Sequence, residues 1–349
     1  MGVGISLSGL AAAVANEGGI GVISATGIGM FEPDFNQDAR MANRRALQRE
    51  IAEARRATNG IIGVNILVAL TDYYDVFTTA VEAGADIVFL GAGLPLKLPE
   101  ILLPDNRGAI KTKIIPIVSS ARATQIIFSY WQKKFHRLPD AVVVEGPMAG
   151  GHLGFSKEQL NNPDYELGKL LKDVIAVVAH YKDSSGNDIP VIGAGGIFDG
   201  TDIYKYMRLG ASGVQMATRF VGTYECDAAA EFKEAYLQCT KEDLIIIDSP
   251  VGLPGRAIKN KFLNDVSMGK GMPFKCRWQC LKTCDPAKSS YCICLALTNA
   301  KKGRLGNGFA FAGANAYRVH NIVSVRELVT GLMQEYQVAA DNAVSVNCP

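Results

Sequence analysis

The 349-residue chain predicts an α/β fold, a parallel (β/α)8 barrel. Three observations carry this reading. Short runs rich in Val and Ile alternate with helical stretches, the alternation persists from Ser6 to Cys239, and several of the runs end in glycines. A doubly wound open sheet fits the same alternation and is the alternative.

Ser6 to Gly19 reads as a helix, capped by Ser6 or Ser8, filled with alanines and stopped by Gly18-Gly19. Gly21 to Ser24 is a short strand, and Gln37 to Arg56 a charged helix. Ile61 to Val68 (IIGVNILV) is a second strand, interrupted by Asn65; an amide there implies a polar partner at that depth. Thr71 to Ala83 is helical, and Ile87 to Leu90 forms a strand ending in Gly91-Ala92-Gly93. The cycle repeats as strand 114–118 with helix 121–135 and strand 141–145 with helix 164–180. It continues as strand 190–194 with helix 200–209 and strand 213–216 with helix 227–239. That makes seven strands where a barrel needs eight. The chain also opens on a helix, so the expected first strand lies upstream of Met1.

Composition sets the class. At 48% hydrophobic and 20% charged, the chain can bury a large core. A net charge of +2 gives no global nucleic-acid footprint. No apolar run reaches the roughly 18 residues that cross a bilayer. The apolar opening MGVGISLSGLAAAVANEGG lacks a basic n-region and runs straight into the α/β pattern, so the expected location is cytoplasmic. Eight cysteines scattered over this length do not make a secreted disulfide framework.

The most informative stretch is Val142 to Phe155, VVVEGPMAGGHLGF. A β-branched run, buried on both faces in a parallel sheet, ends at Glu145. Gly146, Gly150 and Gly151 then let the backbone bend and approach a flat ligand, leaving His152 projecting over it. Two later turns make that ligand anionic. Gly193, Gly195 and Gly196 end a strand with bare amides, and Gln215-Met216-Ala217-Thr218 adds amides and a hydroxyl before the next helical region. Phosphate sites recur at the last strands of such barrels.

Together GVNILV (63–68), EGPMAGGHLGF (145–155), IPVIGAGGI (189–197) and GVQMATRF (213–220) resemble the nitronate monooxygenase family, formerly 2-nitropropane dioxygenases, whose cousins are the flavin-dependent enoyl-acyl carrier protein reductases. The resemblance implies a TIM-type barrel holding FMN at the C-terminal ends of its strands, with a small helical domain as a lid. It also implies that Asn65 is the amide beside the flavin ring, that Glu145 and Gly150 touch the cofactor, and that Gly195, Gly196, Gln215, Met216, Ala217 and Thr218 serve its phosphate. His152 matches the active-site histidine. Gly308 to Asn315 matches the loop by which the lid returns to the flavin, with Gly313 and Asn315 as its contacts. Two departures bear on substrate: many nitronate monooxygenases carry glutamine at Glu145, where the reductases carry glutamate, and Pro147-Met148 replaces a small or acidic pair.

The implied activity is oxidation of alkyl nitronates by dioxygen. The alternatives are NAD(P)H-dependent reduction of an enoyl thioester, with an acyl carrier protein as partner, and a flavin-binding barrel without turnover. The expected organisation is a barrel over 1–248, a lid over 249–316 and a closing helix and tail over 317–349. The oligomeric state, a homodimer among the options, is left open.

The lid breaks the βα rhythm. Lys259, Lys261, Lys270, Lys275, Arg277, Lys282 and Lys288 make it basic, read first as a solvated face and second as a dock for an anionic carrier or nicotinamide phosphate. Cys276, Cys280, Cys284, Cys292 and Cys294 are not explained by the family resemblance. The first three recur every four residues and would share one helix face, where with Cys292 they are candidate ligands for a soft metal. Their spacing is neither a zinc ribbon nor a ferredoxin run.

Overall fold

The computed structural model describes residues 2–100 and 110–346, with side chains up to residue 343. The chain runs α1 (Ser8–Asn16), β1 (Ile20–Ser24), α2 (Ala39–Ala57), β2 (Ile61–Leu67), α3 (Tyr73–Glu82), β3 (Ile87–Gly91) and β4 (Lys113–Val118). Then come α4 (Ala121–Phe135), β5 (Val142–Glu145), β6 (Gly151–His152), α5 (Leu167–Val178), β7 (Val191–Ala194), α6 (Gly200–Arg208) and β8 (Gly213–Gln215). The remaining elements are α7 (Thr218–Val221), α8 (Ala230–Leu237), β9 (Leu244–Asp248), β10 (Pro254–Ile258), α9 (Lys261–Ser267), α10 (Ile293–Lys301) and α11 (Val325–Val346).

The seven strands expected from the sequence form one parallel sheet in the order β1-β2-β3-β4-β5-β7-β8. Sequential order with helical crossovers is barrel connectivity, not the reversing order of a doubly wound sheet. Two apolar layers explain the curl. Ile87, Phe89, Ile115, Val143 and Ala194 pack together on the inner face. Their alternates Val88, Ile114, Val142 and Val144 join Ile127, Trp131 and Leu171 of the surrounding helices. The period-2 alternation of a strand therefore decides what reaches the interior.

Glu145 follows Val143 on that inner face. Asn65 follows Gly63, whose missing side chain makes room for the inward Phe89 ring. Gln215 sits in register with inward-facing Ala194. Three polar side chains thus crown an apolar interior at the C-terminal ends of β2, β5 and β8.

A second sheet was not expected. Leu244-Ile245-Ile246-Ile247 is a continuous apolar run, β-branched from Ile245 on, and it pairs antiparallel with β10, which in turn pairs with β6. The lid is therefore mixed α and β, and residue 249 lies in the turn between β9 and β10. The closing helix is α11; residues 347–349 of the expected tail fall outside the described residues.

The expected helix through Cys276, Cys280 and Cys284 is absent: residues 269–290 hold no α-helix. Their backbone bonds go elsewhere. The Lys282 amide donates to the Ala69 carbonyl (2.9 Å), and Thr71 donates to the Cys280 carbonyl (3.2 Å). Leu281 bridges Leu70 antiparallel, so this stretch is extended where it docks beyond β2 and the i to i−4 ladder cannot form.

Candidate active site

Three loops meet above the crown. The β5–β6 connection, Gly146 to Gly150, lies against the β7 turn, because a side chain at Gly195 would collide with the Gly146 carbonyl at 2.8 Å. Gly195 and Gly196 hold φ of +94° and +86°, a left-handed region that favours glycine. Their amides and that of Ala217 make no backbone hydrogen bond among the described residues. The third loop, Ala312 to Asn315, presses on Gly150, where a Cβ would lie 2.5 Å from the Ala312 carbonyl carbon. It is pinned at four points. Ala314 donates to the Met148 carbonyl (3.0 Å) and Gly313 to Thr218 Oγ1 (3.1 Å). Asn315 Nδ2 donates to the Gly196 carbonyl (2.6 Å), and Ala312 to the Arg256 carbonyl (3.1 Å).

His152 sits on β6, opposite Gly255 of β10. Its Nε2 shares a 2.7 Å hydrogen bond with Ser249 Oγ, and its ring stands edge-on to Phe311, centroids 5.0 Å apart. Burial pushes the imidazole down to about 4, so it is neutral at pH 7. Glu145 moves the other way: burial raises its carboxyl to about 7.

Of the residues marked in the sequence, Gly150, Gly195, Gly196, Thr218, Gly313 and Asn315 are joined by direct contacts. Asn65, Glu145 and Gln215 face the same mouth from below. Met216 and Ala217 carry the chain from β8 to α7, and Gly151, at φ +78°, turns His152 into β6. The cysteine candidates lie in the lid instead. Cys280 Sγ is 3.1 Å from Cys294 Sγ, and among the described residues no three ligand side chains stand within reach of one shared ion.

Sequence reasoning missed Arg256, Ser249 and Phe311. Buried Arg256 donates from Nη1 to the carbonyls of Pro147 (2.7 Å) and Ala149 (2.6 Å), fixing the glycine loop from beneath. Its signal was present: a guanidinium inside PGRAI breaks an apolar strand just as Asn65 does. Ser249 and Phe311 left no local signal, since each acts by meeting a residue about a hundred or more positions away.

A phosphorylated flat cofactor fits this construction. Free amides at two left-handed glycines, one more at Ala217 and the Thr218 hydroxyl suit a phosphate. Gly150 admits the Ala312–Gly313 backbone that closes this mouth, while the Asn65, Glu145 and Gln215 side chains offer hydrogen bonds to a ring.

The comparisons agree with this geometry. Residues 1–335 match the family model for nitronate monooxygenase. A probable nitronate monooxygenase of Staphylococcus aureus (strain Newman) is 27% identical over 291 residues, covering 75% of this chain and 74% of the relative. FabK from Thermotoga maritima superposes with a TM-score of 0.74 at 27% identity, covering 98% of this chain and 92% of that one. Nitroalkane oxidase from Streptomyces ansochromogenes, at 22% identity, shares the fold with a TM-score of 0.73 over 98% of this chain and 95% of its own. The family match over residues 1–335, nearly the whole length, places this chain in the nitronate monooxygenase family, as a flavin-dependent oxidoreductase.

Proposed function

We propose that the chain binds FMN and oxidises alkyl nitronates with dioxygen, with His152 as the residue that handles the substrate. The observation that carries the reading is the meeting of the two glycine turns with the Gly313–Asn315 loop directly beside β6. One mouth thereby offers a phosphate cradle, polar groups for a ring and an imidazole. The flavin supplies the electron-transfer chemistry when bound. Gly195, Gly196, Ala217 and Thr218 would hold the phosphate, and Asn65, Glu145 and Gln215 the ring.

His152 does the proton work. A neutral imidazole with a lowered pKa does not stand as a resting cation toward a nitronate. It can accept a proton from a neutral nitroalkane or orient the substrate through a hydrogen bond, while Ser249 fixes the ring. The second reading, reduction of an enoyl thioester by NAD(P)H, is favoured by one residue, Glu145. A carboxyl held near neutrality could donate a hydrogen bond where glutamine would donate through its amide.

The test begins with the absorption spectrum of purified protein. A flavin spectrum with oxygen uptake on propionate 3-nitronate supports the proposal. Rapid anaerobic bleaching by NADH with no nitronate turnover transfers the assignment to the reductase reading, and a colourless protein that takes up no FMN overturns both. His152→Ala should retain flavin and lower turnover about 100-fold or more. Near-normal turnover would remove His152 from the chemistry.

A further inference from the structure

The stretch from Gly269 to Ser290 poses a problem the barrel does not solve. Leu281 is its only buried residue, it has no helix, and its chain is held to the barrel at Leu70 and Thr71. A segment this poor in buried apolar surface needs a staple, which in small loop-rich units is a disulfide or a metal. It carries Cys276, Cys280 and Cys284, and Cys292 and Cys294 follow where α10 begins.

These thiols are gathered. Cys280 Sγ is 3.1 Å from Cys294 Sγ. Cys284 and Cys292 both lie within electrostatic reach of Cys276 and Cys280. Gln279 donates its backbone amide to Cys276 Sγ at 3.3 Å, and Cys284 Sγ lies 3.8 Å from Ser289 Oγ. Hydrogen bonds to sulfur recur around thiolate-ligated centres, where they tune the metal.

We propose that the lid holds a soft-metal centre ligated by four of these five cysteine thiolates, stapling residues 269–290 to α10 and, through Leu281, to the rim of β2. As placed, no three of the sulfurs share an ion-binding position among the described residues. Closure therefore requires two of the three outlying side chains, Cys276, Cys284 and Cys292, to rotate toward the Cys280–Cys294 pair. Binding releases the thiol protons, so occupancy falls as pH drops. Four sulfur ligands select zinc or an iron–sulfur cluster.

The experiment is elemental and acid-labile sulfide analysis of full-length protein purified anaerobically, with native and denatured thiol counts. About one zinc, or about four iron with matching sulfide, per chain supports the proposal and separates the two centres. Release of that metal by an organomercurial, with faster proteolysis within 269–290 and the flavin spectrum retained, supports the stapling role. The double variant Cys276→Ser/Cys292→Ser should then lose the metal. Less than about one tenth of an equivalent, with all thiols reacting freely in the native protein, overturns it. So does a Cys280–Cys294 disulfide found by mass spectrometry in the metal-free protein.

Discussion

The two halves of the lid are held by opposite means. From Phe309 to Asn315 the chain is fixed by close packing and backbone bonds. Phe262 stacks on Phe309, Tyr291 meets both edge-on, Phe309 meets Phe311, and Phe311 meets His152, each pair with centroids 5.0 to 6.0 Å apart. Tyr236 donates to the Phe311 carbonyl at 2.5 Å. From Gly269 to Ser290 there is one buried leucine and a set of thiols. The half that borders the glycine mouth is therefore over-determined by packing, and the half that covers the rim is conditional on something else. Substitutions in the two halves should fail in different ways.

The largest expected effect is on the packed half. Phe309 is fully buried at the centre of the aromatic chain, so Phe309→Ala should cost about 3–5 kcal/mol of global stability. Thermal unfolding of the flavin-free protein would show it as a drop of roughly 2–4 °C for each kcal/mol. An unchanged Tm would mean that the return loop is not part of the cooperative core. Arg256→Met comes next, because it keeps the stem but leaves the Pro147 and Ala149 carbonyls unpaired in a buried site, at about 1–3 kcal/mol each. The loss should appear as weaker flavin retention on dialysis, since the loop it releases carries Gly150. Full retention would show that Gly150 is held by the Ala312–Asn315 loop alone.

How much of this could be read from the chain follows the same division. The seven strands and the glycine turns were legible because each is specified locally, by a β-branched run or by a backbone position only glycine occupies easily. The inward placement of Asn65, Glu145 and Gln215 follows from strand alternation once the core face is known. The β6-β10-β9 sheet was not legible, because a two-residue strand has no period and its partner lies about a hundred residues on. The cysteine helix failed for a related reason. Spacing by fours describes a helix only if the backbone bonds stay local, and the Cys280 carbonyl and Lys282 amide bond instead to the segment after β2. Of the basic residues there, Lys261 and Lys270 pair with Asp265, Lys288 pairs with Asp285, and Lys282 reaches the Val68 carbonyl. Among the described residues this leaves Lys259, Lys275 and Arg277 without an ion pair.

A smaller effect is set by pH. Glu145 is raised from 4.5 to about 7, so the folded protein holds its proton more tightly than the unfolded chain. Its stabilising contribution is complete below 4.5 and is lost as pH rises through 7. His152, lowered from 6.5 to about 4, contributes above 6.5 and loses that contribution as pH falls toward 4. Glu145→Gln should therefore stabilise the flavin-free protein at pH 8 relative to wild type while changing little at pH 4, measured as Tm against pH. Equal shifts at both pH values would mean that the carboxyl is ionised throughout. Turnover should show no limb near 6.5 from His152, and a limb there would place the working imidazole in a wetter site than the one described.

The smallest global effect belongs to the conditional half. Leu281 is buried, and a Leu→Ala truncation in a core ordinarily costs about 2–5 kcal/mol. Here the residue anchors a segment that holds no helix and meets the barrel along one short edge, through the Leu70 bridge, hydrogen bonds to Val68, Ala69 and Thr71 and the Trp278 ring against Phe35, so the segment can open while the barrel stays folded. Leu281→Ala should move the global Tm by less than Phe309→Ala does, and should leave the flavin spectrum intact. Its signature should be local: faster amide exchange and proteolytic cleavage confined to 269–290. Matching Tm losses in the two variants would show that both halves of the lid unfold with the barrel as one unit. The leucine would then share the role assigned to the thiols in holding the rim.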